Sequence, residues 1–309
     1  MFKLSQIELI TMISRKSIFF LLFIFLLFLS FNIYDSYKDN EHNNDWKSKV
    51  QNDIKLQKQE MSNENNTNEI KNYFATNIKK NAMYLNHNIN PYEKNQYTFI
   101  QKNLNFLAII PIFILFMSSF IVFKEYKYNF IKNIKLSTTT SFQSIVSKFI
   151  TMVIILSIIF FCTYIFTFFT GGIVNKFTDF NYEMVTQSQN NLELKNAFAY
   201  ISKIFLADYL TSILLIAFIF MMISLTKSSS LSLLLSILLL ISHKNISAQL
   251  SFLPWTKYLF FNTLNIRDLI NKSHSFDFNA DIIVFSILNV FYIILFLTIS
   301  IYFFKKIKI

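Results

Sequence analysis

Glycine is almost missing from this chain: of 309 residues only Gly171 and Gly172 are glycine, and they are adjacent. A Walker A loop needs two separated glycines followed by Lys and Ser or Thr, and a dinucleotide loop needs three spaced glycines. Neither can be built from one adjacent pair, so no nucleotide-binding domain is expected in this polypeptide. The single cysteine, Cys162, excludes an intrachain disulfide and a cysteine zinc site. The four histidines, His42, His87, His243 and His274, lack metal-ligand spacing. No metal or other cofactor is expected in this chain. An intramembrane enzyme would need convergent catalytic groups, and there is no paired-Asp motif, no His-Glu-x-x-His and no Ser/His pair in a glycine-rich setting. The chain therefore reads as a protein without its own chemistry.

Charge is also scarce, at 15% of residues, against 53% hydrophobic and 18% aromatic content. That balance lies far from a soluble average. The formal net charge of +11 comes from lysines that flank apolar segments rather than forming one basic face among aromatics, so nucleic acid is not an expected partner. Abundant Ile, Lys, Asn and Phe with scarce Gly, Ala and Pro points to an AT-rich bacterial genome.

A membrane-crossing helix needs about 20 mostly apolar residues. Six stretches qualify, at 17–34, 104–123, 149–169, 206–225, 229–248 and 282–304. The first follows Arg15 and Lys16 and precedes Tyr34-Asp35-Ser36-Tyr37, which has no small-residue cleavage pattern, so it reads as a retained span. Residues 1–16 mix Phe2, Leu4, Ile7, Leu9, Ile10 and Ile13 with Lys3, Gln6 and Glu8, as suits an interfacial helix. Residues 35–103 shift to Asn, Lys, Gln and Glu. Within them Trp46, Val50, Ile54 and Met61, then Ile70, Phe74, Ile78 and Leu85, recur near helical spacing, which predicts a two-helix hairpin. The fold class expected is all-α: a polytopic membrane protein with six transmembrane helices, an N-terminal interfacial helix and an extracellular helical hairpin insert.

Lysine placement orients the spans. Residues 124–148 carry Lys124, Lys127, Lys132, Lys135 and Lys148 against Glu125 alone, and the tail carries Lys305, Lys306 and Lys308. By the positive-inside rule both segments are cytoplasmic. The 170–205 loop balances Asp179, Glu183 and Glu193 against Lys176 and Lys195, as expected outside. The expected localisation is a bacterial cytoplasmic membrane, multi-pass, with both termini inside. Residues 249–281 are read as an outer re-entrant segment and loop, because the apolar stretch around Pro254 is too short to cross, with Trp255 and Tyr258 at headgroup level.

Asp208, His243 and Lys244 lie well inside expected spans, where charge costs several kcal/mol unless paired or wet. They form either a polar cluster, with Lys244 the expected partner of Asp208, or side chains that snorkel to the outer interface.

After the second span the chain reads Lys124-Glu125-Tyr126-Lys127-Tyr128-Asn129-Phe130-Ile131-Lys132-Asn133-Ile134-Lys135-Leu136-Ser137, and Ser147-Lys148 opens the third. This resembles the ABC-2 type permeases. In that family a glutamate leaves the second span, a Gly-Thr pair begins a short cytoplasmic helix, and a Lys stands at the next span after a proline turn. Glu125 and Lys148 match that pattern, while Asn129-Phe130 replaces Gly-Thr and Ser137 replaces the proline. The order of an amphipathic N-terminal helix, six spans and a broken apolar hairpin before the last span is similar as well.

The resemblance implies an exporter permease subunit that pairs with a second, identical or homologous permease and with separate P-loop ATPase subunits. It also implies that 124–148 is a coupling loop. Glu125 would anchor it, Phe130, Ile131 and Ile134 would be apolar anchors in a groove of the ATPase, and Lys127 and Lys135 would rim the contact. The substrate expected is amphipathic or hydrophobic: a peptide or bacteriocin, a drug, or a lipid-like molecule. Membrane lipids are the remaining partner. The alternative reading is an ATPase-independent channel or immunity protein whose outer hairpin binds a ligand.

Overall fold

The computed structural model describes residues 2–13, 23, 24, 27, 30, 31, 34, 45–63, 67–104, 109–127, 140–188, 191–250, 253–271 and 282–306. Among the described residues four helices are long and apolar enough to cross a membrane, and the architecture is that of a helical membrane protein. They are α6 (Ser141–Val174), α7 (Ala197–Thr226), α8 (Ser229–Leu250) and α11 (Ile282–Lys305). Before them come α1 (Phe2–Ile13), α2 (Trp46–Ser62), α3 (Asn68–Asn86), α4 (Gln96–Asn103) and α5 (Ile109–Lys127), the last with a shorter apolar stretch, Ile109–Phe123. Between α8 and α11 run a 3-10 turn, Pro254–Tyr258, and the short helices α9 (Phe260–Thr263) and α10 (Ile266–Asn271). The span expected over 17–34 lies mostly outside the described residues. Those described within it, Phe23, Ile24, Leu27, Ser30, Phe31 and Tyr34, are helical and exposed.

The bundle is organised around α7. Of its most apolar window 72% is buried, against 33% for α6 and 17% each for α8 and α11. Helix α7 packs against α5, α6, α8, α10 and α11. Small residues let neighbours approach it, since in lipid close packing rather than water exclusion holds helices together. Ala207, Ser212, Ala217 and Ser224 are all buried on it. Ser224 Oγ lies 2.8 Å from Ser300 Oγ of α11, and each hydroxyl also bonds the Phe220 carbonyl. A tight turn at Lys227, whose backbone is left-handed at φ 53°, reverses the chain into α8.

Two of the expected spans are much longer than their apolar middles. Helix α6 has 34 residues, so it is about 51 Å long and outreaches a hydrocarbon layer of roughly 30 Å. It begins at a Thr140 capping box closed by Gln143, upstream of the expected start at 149. Helix α7 begins at Ala197, where Asn196 Oδ1 accepts from the Ala199 amide at 3.0 Å, upstream of the expected 206. Of the expected span from 104, Leu104 caps α4 and α5 is described over Ile109–Lys127.

The polar region 35–103 divides into two parts. Helices α2 and α3 pack on each other as a pair, while α4 leaves that pair and lies against α6. Tyr97, Phe99 and Ile100 are buried there, and Gln96 clamps the far loop: its Nε2 donates to the Thr178 carbonyl at 2.7 Å and its Oε1 accepts from the Thr178 amide at 2.8 Å. The 170–205 loop is more structured than expected. It holds an antiparallel hairpin, β1 (Glu183–Ser188) with β2 (Asn191–Asn196), in which Glu183 pairs with Asn196 and Ser188 with Asn191. Tyr182, just ahead of β1, stacks on Tyr97 with centroids 5.9 Å apart. Burial, with Tyr182 nearby as the lesser cause, pushes the Tyr84 phenol of α3 up to about 12, so this junction keeps it neutral.

Gly171 is where the glycine pair matters structurally. A Cβ there would stand 2.9 Å from Phe99 Cβ and 3.1 Å from the Gln96 backbone, whereas at Gly172 the atoms nearest to it belong to the half-exposed ring of Phe177. Gly171→Ala is therefore expected to push α4 off α6 and destabilise by about 1 to 3 kcal/mol. Gly172→Ala, answered by one ring rotation, should have the smaller effect. Thermal unfolding of the two variants in detergent separates them.

Candidate functional site

Two groups of buried charge stand out, at opposite ends of the bundle. The first joins α1 to α6. Lys148 is only 5% exposed, and its Nζ donates to Glu8 Oε1 at 2.9 Å. One turn further along α6, Thr151 Oγ1 donates to the Ser5 carbonyl at 3.2 Å. Residues 148 and 151 face α1 because they lie three apart on one helix side. The opposite face of α1 leaves Ile7 and Ile10 exposed, which suits a helix lying in an interface. Lys148 is thus a packed, paired side chain, where the sequence showed only a basic residue at the start of a span.

Glu125 and Lys127 lie in the last turns of α5, and their side chains are not among the described ones. Phe130, Ile131, Ile134 and Lys135 fall outside the described residues.

The second group surrounds a cavity of about 350 Å³ formed by α5, α7, α8 and the α9–α10 segment. Asp208, His243 and Lys244 do come together on its wall, joined by Arg267 and Asp268. Their pairing differs from the expected one. Asp208 Oδ2 lies 3.4 Å from Arg267 Nη1, while Lys244 Nζ sits 2.9 Å from Asp268 Oδ2. The partner of Asp208 is therefore Arg267, in a short helix of the re-entrant segment, and not Lys244. The side chains of Asp208 and Arg267 are 14% and 23% exposed, so this pair is the inner one; Lys244 is 57% exposed and marks the rim. His243 turns to its own helix, its Nδ1 donating to the Leu240 carbonyl at 2.7 Å.

Sequence inspection missed Arg267 because it sits outside every apolar stretch, in a loop where an arginine attracts no notice. A signal was present nonetheless: Asp208 needs a cation, and Arg267 is the only arginine besides Arg15. The new pairing gives a clear expectation. Asp208→Arg should destabilise the protein by setting two guanidinium groups together at membrane depth, and Arg267→Asp in addition should recover most of the loss. The swap Asp208→Lys with Lys244→Asp should recover little. Midpoints of thermal unfolding for the three variants decide between the partners.

Among the described residues no group of three or more His, Cys, Asp or Glu is placed to hold a metal ion. A further open cavity is a groove between α6 and α7 where Ser157 meets Tyr209 and Tyr164 meets Ser202 through their hydroxyls.

A family model described as "Protein of unknown function (DUF2705)" matches residues 67–309. The chain belongs to this family. The DUF2705 match runs from the start of α3 to the end of the chain, so it includes the whole cavity with Asp208, Lys244, Arg267 and Asp268, and also Lys148. Glu8 lies outside it. No curated protein and no solved structure matches the chain.

Proposed function

We propose that this protein is the membrane-spanning permease subunit of an ATP-driven exporter of the ABC-2 type, working with a separate P-loop ATPase and a second permease. The reading takes six crossings, with 17–34 as the first and 104–123 as the second, and sets both termini and the 124–148 loop in the cytoplasm. The observation that carries it is the buried contact of Lys148 with Glu8. Lys148 is one of the two residues through which the sequence resembles ABC-2 permeases, and Glu8 belongs to the interfacial helix that the same resemblance implies.

The contact has a mechanical meaning. It ties α1 to the start of the longest helix, directly after the basic loop. The Ser224–Ser300 contact and the Phe149–Phe220 ring contact bring the ends of α7 and α11 to this same end of the bundle. Lys305 and Lys306 follow at this end of α11, and Lys124, Lys127, Lys132 and Lys135 precede α6 in sequence. An ATPase pressing on the loop would therefore move α1 and α6 as one body, and through α6 the packed α7 and α11. The permease does no chemistry on its substrate, and the route lies between protomers.

Affinity purification of the tagged chain from its native host in mild detergent tests this. Recovery of a P-loop ATPase with the permease is the expected result. A preparation fully free of ATPase would instead favour an ATPase-independent channel or immunity protein.

A further inference from the structure

The cavity beside Asp208 is divided by polarity along its length. On α7, Asp208, Thr211 and Leu215 line it in turn, and on the antiparallel α8, Lys244 and then Leu240 do so. Seven residues of helix span about 10 Å, so over roughly that distance the wall changes from charged, at the re-entrant segment, to aliphatic, deeper in the bundle. Ile112 continues the aliphatic part, and Ile241, 67% exposed, stands at the mouth on the outer face of α8. This is the shape that receives an amphiphile sideways, head group toward α10 and tail toward the middle of the span.

The charges identify the head group. Lys244 is engaged by both oxygens of Asp268, at 2.9 and 3.1 Å. Arg267 is held much more loosely. Among the described residues only its Nη1 makes hydrogen bonds, to the Leu104 carbonyl at 3.3 Å and to Asp208 Oδ2 at 3.4 Å. Charge-assisted bonds are usually shorter, about 2.7 to 2.9 Å, and a guanidinium has five donors in a fork that suits an oxyanion. Arg267 thus retains donors for a phosphate or carboxylate, and Asp208 engages it through one oxygen only. The four charges, Asp208, Lys244, Arg267 and Asp268, sum to zero. Inside a membrane an incoming net charge would disturb that balance at high cost, whereas a zwitterion preserves it.

We propose that this cavity binds the zwitterionic head group of a membrane amphiphile, with its oxyanion on Arg267 and its ammonium on Asp208. The volume of about 350 Å³ is at the small end for ligand sites, enough for a head group and the first part of a chain. As a substrate site this rests on the exporter reading; as a binding site it does not, and the test uses the purified permease without any ATPase.

Delipidated protein is titrated, with bound ligand counted by native mass spectrometry, against lysophosphatidylethanolamine, lysophosphatidylglycerol and a monoacylglycerol of the same chain length. The zwitterion should bind about tenfold more tightly than either of the others, a factor within reach of one charge-assisted contact. Arg267→Gln and Asp208→Asn should each erase the preference. Should either fail to fold, Ile241→Trp, at the exposed mouth and itself uncharged, should weaken retention of all three by obstruction. Soluble glycerophosphoethanolamine, the same zwitterion without the tail, should not compete at matched concentration. Equal retention of the three head groups, preference for the glycerol anion, full competition by glycerophosphoethanolamine, or a preference that survives both charge variants would each overturn the proposal. A permease that recovers an ATPase yet shows no head-group preference would leave the exporter and remove this site; the reverse would do the opposite.

Discussion

Glu8→Gln is expected to lower the stability of the protein by roughly 3 to 5 kcal/mol, the range for removing one partner of a buried ion pair. Lys148 is the more deeply buried member, with its side chain 6% exposed against 24% for Glu8. Loss of the carboxylate leaves the buried ammonium facing an amide, which carries no charge to offset it. Loss of the ammonium is milder, since Glu8 reaches water more easily, so Lys148→Met should have a smaller effect than Glu8→Gln. Replacing both, Lys148→Met with Glu8→Leu, should restore much of the stability, because two apolar groups of similar size need no compensation. A thermal-unfolding series in detergent reads all three. An unchanged midpoint in Glu8→Gln would show that α1 is only loosely attached, and the mechanical argument for coupling through α6 would go with it.

The second large effect belongs to the exporter proposal. Phe130→Ala with Ile134→Ala is expected to leave membrane insertion intact and to abolish ATPase association and export. Both residues lie outside the apolar spans, and an amphipathic segment in a groove takes most of its affinity from a few apolar anchors. Lys127→Gln and Lys135→Gln should matter less, as exposed ion pairs contribute about 0 to 1 kcal/mol. Co-purification measured beside transport in membrane vesicles checks this. A double variant that keeps its full complement of ATPase would refute the assignment of this loop as the docking element.

Much of the helical layout was legible. The apolar runs at 149–169, 206–225, 229–248 and 282–304 all fall within α6, α7, α8 and α11, because length and hydropathy are one-dimensional properties. The repeats of Trp46, Val50, Ile54 and Met61, and of Ile70, Phe74, Ile78 and Leu85, likewise fall on α2 and α3, since helical periodicity survives without tertiary context. Helix ends were harder. The first turns of α6 and α7 are polar or mixed, and hydropathy stops where polarity begins, although Thr140 with Gln143 and Asn196 were readable as caps.

Composition and pattern alone determined that this is a helical membrane protein, and which segments are apolar enough to cross. Tertiary structure decided which charges meet. That Lys148 would bury itself on Glu8, 140 positions away, and that Asp208 would take Arg267 over the nearer-seeming Lys244, depended on how α1 and α10 dock on the bundle. Helix period sets which residues share a face of one helix; it says nothing of which face of another helix will lie opposite. An ion pair has a range of a few ångströms, so its partner is chosen by that docking and by nothing local to either residue.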